Sequence, residues 1–333
     1  MFEIVVITVI KVSVVMMAIL TGCAYSTWLE RKVLARMQNR VGPTYAGPFG
    51  LLQPVADGLK IIFKEDLVPK NAEKVMFALA PIVTFVPAIL TFAVIPFGAD
   101  RILFGHHVKM VISDLNIGVL WIFAVTSLGI YGIILAGWSS GSKYSLMGGL
   151  RASAQMISYE VSYGLSIIGV IILANTLSLT EIISKQSSDS IWFFENWYIW
   201  KQPLGFFLYL TCAIAETNRA PFDMAEAESE LVAGYHTEYS SMRFSMFFIA
   251  EYANMLAVSS VGAVLFFGGW NGPVLPSILW FLIKVFLFMF FYIWLRATFP
   301  RFRYDQLMSF GWKVLFPLAL LNTMVTAGFK MIK

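Results

Sequence analysis

"IVVITVIKVSVVMMAILTGCAYSTW" (Ile4–Trp28) decides how the rest of the chain is read. The run is almost unbroken apolar sequence and exceeds the roughly 20 residues needed to cross a bilayer core. Its basic residue, Lys11, lies inside the run, and no small-x-small cleavage site leads into a soluble domain. The stretch is therefore expected to be a retained first membrane helix. The same hydropathy recurs along the chain. Of 333 residues, 58% are hydrophobic and 13% charged, with mean hydropathy +0.73, far from a soluble composition.

The repeated runs predict an all-α, polytopic membrane protein. A membrane β-barrel would show short alternating segments instead. Eight spans are expected, at about 4–28, 75–97, 115–137, 155–175, 203–216, 243–268, 278–297 and 312–330, forming one integral membrane domain over residues 1–333. The fifth run is short and must extend into the acidic stretch that follows. Most of the 24 Lys and Arg residues fall in the loops after spans 1, 3, 5 and 7. That bias places these loops on the cytoplasmic or matrix side.

The composition also excludes several chemistries. The 2 cysteines and 3 histidines are too few and too scattered for an iron–sulfur cluster, a haem pair or a zinc site in this chain alone. No GxGxxG or GxxxxGK[ST] motif occurs, so no nucleotide site is visible. No metal site is expected.

The first inside loop, "ERKVLARMQNRVGPTYAGPFGLLQPVADGLKIIFKED" (Glu30–Asp66), contains two Gly-Pro breaks and then an amphipathic helix over about 51–65. Gln53, Asp57, Lys60 and Lys64 share one face, and Leu51, Leu52, Val55, Leu59, Ile62 and Phe63 line the other. Pro54 must sit in the first turn. Such a helix lies along the membrane surface, as an anchor or as a wall of an entrance from the lipid phase. Asp57 on its polar face implies a partner other than anionic headgroups. Glu30, set directly before Arg31 and Lys32, suggests a packed ion pair.

Glu160 and Glu251 lie inside the fourth and sixth spans. A charge at mid-bilayer costs about 2.5–3.5 kcal/mol on insertion scales, so such acids face a protein interior and are paired or protonated. "AETNRAPFDMAEAESELVAGYHTEYSSM" (Ala215–Met242) adds Glu216, Asp223, Glu226, Glu228, Glu230 and Glu238. Arg219 and Arg243 are the cations within or beside it. Crowded, desolvated carboxylates should have raised pKa values suited to a proton relay. A solvated loop or a docking surface for a basic partner is the plainer reading of the same charges. "RATFPRFRYDQLMSFGWK" gathers Arg296, Arg301 and Arg303 near Asp305.

Taken together, "ERKVLARMQNRVGP", "GPFGLLQPVADGLKIIFKED", "GWSSGSKYSLMGGLRASAQMISYE", "AETNRAPFDMAEAESELVAGYHTEYS", "AEYANM" and "PRFRYDQLM" resemble the core membrane subunit of respiratory complex I, the proton-pumping NADH:quinone oxidoreductase. That component is called 1 in mitochondria and H in bacteria. The resemblance covers nearly the whole chain, with Met224 standing where the family commonly has Leu. It implies a partly antiporter-like fold and a quinone tunnel entered from the lipid. FMN and the iron–sulfur clusters would belong to peripheral-arm partners, and antiporter-like membrane subunits would be neighbours. Carried over residue by residue, Glu30, Arg31, Arg40, Asp57 and Phe222 would line or brace the tunnel. Glu216, Asp223, Glu226, Glu228 and Glu230 would form a loop that senses quinone chemistry. Glu160, Glu251 and Tyr252 would continue an acidic path into the membrane. The location would be the mitochondrial inner membrane or the bacterial plasma membrane. The alternatives are the equivalent subunit of a membrane-bound hydrogenase, an ion-coupled secondary transporter, though no internal repeat is evident, and a structural anchor.

Overall fold

The computed structural model describes residues 2–103, 106–187, 194–224 and 231–332. Twelve helices are used below. They are α1 (Phe2–Met37), α2 (Gln53–Ile62), α3 (Lys74–Leu90), α4 (Gly118–Ser139), α5 (Lys143–Ala174), α6 (Leu179–Lys185), α7 (Tyr198–Lys201), α8 (Pro203–Glu216), α9 (Ser241–Phe266), α10 (Ser277–Thr298), α11 (Tyr304–Phe310) and α12 (Phe316–Ile332). A π-helical turn, Gly311–Leu315, joins α11 to α12. Among the described residues, 7 helical segments are long and apolar enough to cross a membrane, counting Tyr304–Ile332 as one, and α8 is a shorter apolar helix. The expected all-α membrane architecture is therefore what the chain adopts, with α8 at the place of the expected fifth span.

Two boundaries differ from the hydropathy pattern for a shared reason. α5 begins at Lys143, well before the expected 155, because Ser145, Gly148, Gly149 and Ala152 are buried against neighbouring elements. Small residues allow helices to approach closely in membranes without being apolar enough to register as a span. α1 continues to Met37 because charged residues propagate a helix beyond the bilayer as readily as apolar ones. Between α3 and α4 the chain contains a small antiparallel hairpin, Arg101–Leu103 with His106–Val108.

α5 packs against α4, α8 and α12, while α9 packs against α3, α1 and α10. The apolar window of α9 is 72% buried and that of α1 only 11%. α9 is thus an internal helix, and α1 presents most of its surface outward. α5 stops at Asn175, whose left-handed φ of 55° ends the helix, and α8 starts on Pro203 at its first position. Lys284 is buried in α10, where its ammonium donates to the carbonyls of Phe267 at 2.7 Å and of Gly269 and Asn271 at 2.8 Å. A cation at the carbonyl end of α9 is placed where the helix dipole favours it.

α2 has no buried residue. Its apolar side chains Val55, Leu59 and Ile62, with Phe63 just past its end, are exposed, as expected for a helix lying in the membrane interface. Pro54 occupies its first turn. The helix is held from its polar side. Asp57 accepts from Arg31 at 2.6 Å and from Gln53 at 2.9 Å, and Ser241 at the start of α9 donates to the Ile61 carbonyl at 3.1 Å.

α3 and α4 meet so closely at Gly132 that a Cβ there would lie 2.7 Å from the Thr84 amide nitrogen. Gly132→Ala should therefore cost about 1–3 kcal/mol through overpacking. It should lower the temperature at which the detergent-solubilised chain loses its fold, whereas Gly129→Ala, with open space around it, should not.

Candidate functional site

α8 has 14 residues, about 21 Å of helix, which falls short of the ~30 Å hydrocarbon core. The chain that follows it, through Met224, is nonetheless buried within the protein. Non-helical backbone is tolerated there only if protein groups satisfy it. They do: Phe222 N–H donates to the Arg219 carbonyl at 2.8 Å. Gln155 of α5, itself fully buried, donates to the carbonyls of both Ala215 and Phe222 at 2.8 Å. Thr217, Arg219, Phe222, Asp223 and Met224 are all buried as a result.

Arg219 is the centre of this segment. Its guanidinium reaches Glu251 of α9 at 2.7 Å and Glu30 of α1 at 3.2 Å. It also lies over the Tyr252 ring, 4.4 Å from the centroid. Tyr252 donates its hydroxyl to Glu30 at 2.7 Å, and Arg296 from the last turn of α10 closes on the other Glu30 oxygen. Two carboxylates and an aromatic face thus offset the cost of burying the Arg219 charge. Glu30 has the packed ion pairs that its setting suggested, though with Arg219 and Arg296 rather than its sequence neighbours. Arg31 instead reaches Asp57.

A second group lies deeper. Glu160 accepts a short hydrogen bond from Ser127 of α4. Glu216 is close enough to feel the Glu160 charge, and its Oε2 is buried without a partner among the described residues. Glu216 borders two small cavities. One, of about 20 Å³, also touches Glu251 and Asn254, and the other, of about 10 Å³, touches Asn254, Thr126 and Tyr163. Each is about the size that one water occupies. Carboxylates from α9 and α8 thus line these spaces, with Asn254 facing both.

The remaining expected residues divide. Phe222 packs on Tyr159 and stacks with Phe302, at centroid distances of 5.8 and 5.7 Å. Buried Asp223 pairs with Arg301 at 2.9 Å. Arg40 lies apart, exposed after α1 with its Nε on Gln38 at 2.7 Å. Glu226, Glu228 and Glu230 lie outside the described residues. Three participants were not picked out from the sequence: Gln155, Asn254 and His236. Asn254 could have been found, because it follows Glu251 by three residues on one helical face. His236 sits among the Tyr235, Phe244 and Phe248 rings. Burial pushes its pKa down to about 4, against the upward pull of Asp223. Among the described residues, no three His, Cys, Asp or Glu side chains are grouped to hold a metal ion.

The sequence model of a family described as NADH dehydrogenase matches residues 10–327. The chain is 54% identical to one of the NADH-quinone oxidoreductase H subunits of Koribacter versatilis, over 98% of both chains. It is 55% identical to the NADH-quinone oxidoreductase H subunit of Thermomicrobium roseum, over 95% of this chain and 94% of that one. It is 52% identical to an H subunit of the same enzyme from Geobacter metallireducens, over 96% of this chain and 94% of that one.

Arg219→Met should cost about 3–5 kcal/mol, because it leaves buried carboxylates without their cation. Adding Glu251→Gln should restore part of the loss, read as thermal unfolding of the purified protein. For His236 the folded pKa of about 4 lies below the ordinary 6.5, so between these values the unfolded state binds more protons. Stability from this group is full above pH 6.5 and is lost as pH falls toward 4. A His236→Gln protein should show a flatter stability curve across that window.

Proposed function

This chain belongs to the NADH dehydrogenase family, as a membrane component of the H type, and on that premise we propose that it forms the quinone-access passage of the complex and couples quinone reduction to proton movement. As part of NADH-quinone oxidoreductase it serves an enzyme whose substrate is a quinone. The electrons would come through FMN and iron–sulfur clusters in peripheral-arm partners, and antiporter-like membrane subunits would complete the assembly.

The observation that carries the reading is the continuity of ionisable groups. It begins with Arg31 and Asp57 at the interfacial helix, and passes Glu30, Arg219 and Glu251. It then reaches Glu216 on the lining of both water-sized cavities, and in this reading it ends at Glu160, held by Ser127. In this reading α2 and the loop end of α1 wall the entrance, and Phe222, set against Tyr159 and Phe302, shapes the passage. Arg40, exposed after α1, braces the entrance from outside.

Reducing a quinone to a quinol takes up two electrons and two protons. Before the protons arrive the site gains negative charge. At an effective dielectric of about 20, a unit charge 4 Å away shifts a neighbour by about 4 kcal/mol, or roughly three pKa units. Asp223, held by Arg301, and the segment through Arg219 lie on one continuous loop, so a charge change at the passage acts on the ion pairs that fix Glu251. Glu251, Glu216 and Glu160 then exchange protons through the two cavities, while Tyr252 tracks Glu30 with its hydroxyl. In this reading Glu226, Glu228 and Glu230, which follow in sequence, share that role.

In the assembled complex, Asp57→Asn and Glu216→Gln should leave NADH oxidation by a water-soluble acceptor unchanged. The quinone-linked rate should fall about tenfold or more, the scale of losing a placed proton-transfer group. Equal quinone-linked rates in wild type and both variants would remove these residues from the passage and the relay. Loss of assembly instead would assign the loop to docking.

A further inference from the structure

A cavity of about 620 Å³ lies away from the carboxylates, at the end of the molecule opposite α2. It is a groove on the outward surface of α1, floored by Val14, Ile19, Phe92 and Leu256, with Lys11 and Lys109 on its lining. Lys11 precedes Glu30 by 19 residues of continuous helix, or about 28 Å, so the two mark opposite surfaces of the bilayer. Lys109 pairs with Asp114 at 3.2 Å and is otherwise exposed. Lys11 has no ion pair among the described residues. A lysine on a lipid-facing helix is stable where it snorkels to the interface or meets an anion.

We infer that this groove binds an anionic phospholipid of the leaflet opposite α2, with an acyl chain along the floor and its phosphate between Lys11 and Lys109. Three features favour this occupant. The floor is apolar, Lys11 and Lys109 both stand on its lining, and the surface faces outward, since α1 is 11% buried over its apolar window. The size also fits a small ligand, for such pockets run to about 300–1,000 Å³. A helix about 10 Å across would fill the same space within two turns. A neutral isoprenoid tail would make no use of the lysines.

The test uses the assembled complex in vesicles containing phosphatidylglycerol with a diazirine in its acyl chain. Irradiation should label peptides spanning residues 7–22 and 108–112. Lys11→Gln should lower that labelling about fivefold, the effect of ~1 kcal/mol per basic residue at an anionic surface. Ala18→Trp, which fills the groove, should abolish it. NADH oxidation with a water-soluble acceptor verifies assembly, and if Ala18→Trp does not assemble, Lys11→Gln still decides. Equal labelling by a phosphatidylcholine probe, or undiminished labelling in Lys11→Gln, would overturn the proposal. So would capture of a neighbouring protein of the complex by a photoreactive phenylalanine at Val14.

Discussion

One guanidinium organises the loop end of this molecule. Arg219 is buried between Glu30 of α1 and Glu251 of α9, with Tyr252 beneath it. None of these groups is stable there alone, since an isolated buried charge carries a desolvation penalty of several kcal/mol. Their positions are therefore mutually dependent. α1 is joined to α9, and through Arg296 to α10, by charges that must be matched in number as well as in place.

That interaction exists because α8 is short and the chain after it stays buried in the protein. A longer α8 would carry Arg219 and Asp223 out to water, where they would be ordinary surface charges. The short helix keeps them inside, and Gln155 then supplies the donors that the non-helical backbone lacks. The same brevity leaves Glu216 at the last helical position, beside two cavities that each suit one water. A polar seam through an apolar protein is thus set by one element's length.

Much of this was legible in the sequence. Apolar runs gave the spans, because bilayer thickness imposes a length that few soluble helices match. Glu160 and Glu251 stood out because a charge in such a run demands a partner, and Glu30 because it stands directly before Arg31 and Lys32. The partners themselves were not legible. Arg219 was visible as a local cation, but its pairing with residues 189 positions away in one case follows only from packing. The long start of α5 was hidden because Gly148, Gly149 and Ser145 carry little hydropathy while fitting tight contacts. Gln155 resembled any polar residue near a span, since nothing local marks which carbonyls it will serve.

Lys284 gives the far end of α9 a different character. Its ammonium gathers three carbonyls from the turn between α9 and α10 into one knot. α9 is therefore moored at two points, by Arg219 at Glu251 and Tyr252 near its middle and by Lys284 at its finish. A helix held this way cannot slide along its axis when its loop end is disturbed. It can only twist or bow between the moorings, and Asn254 lies within the stretch that would turn.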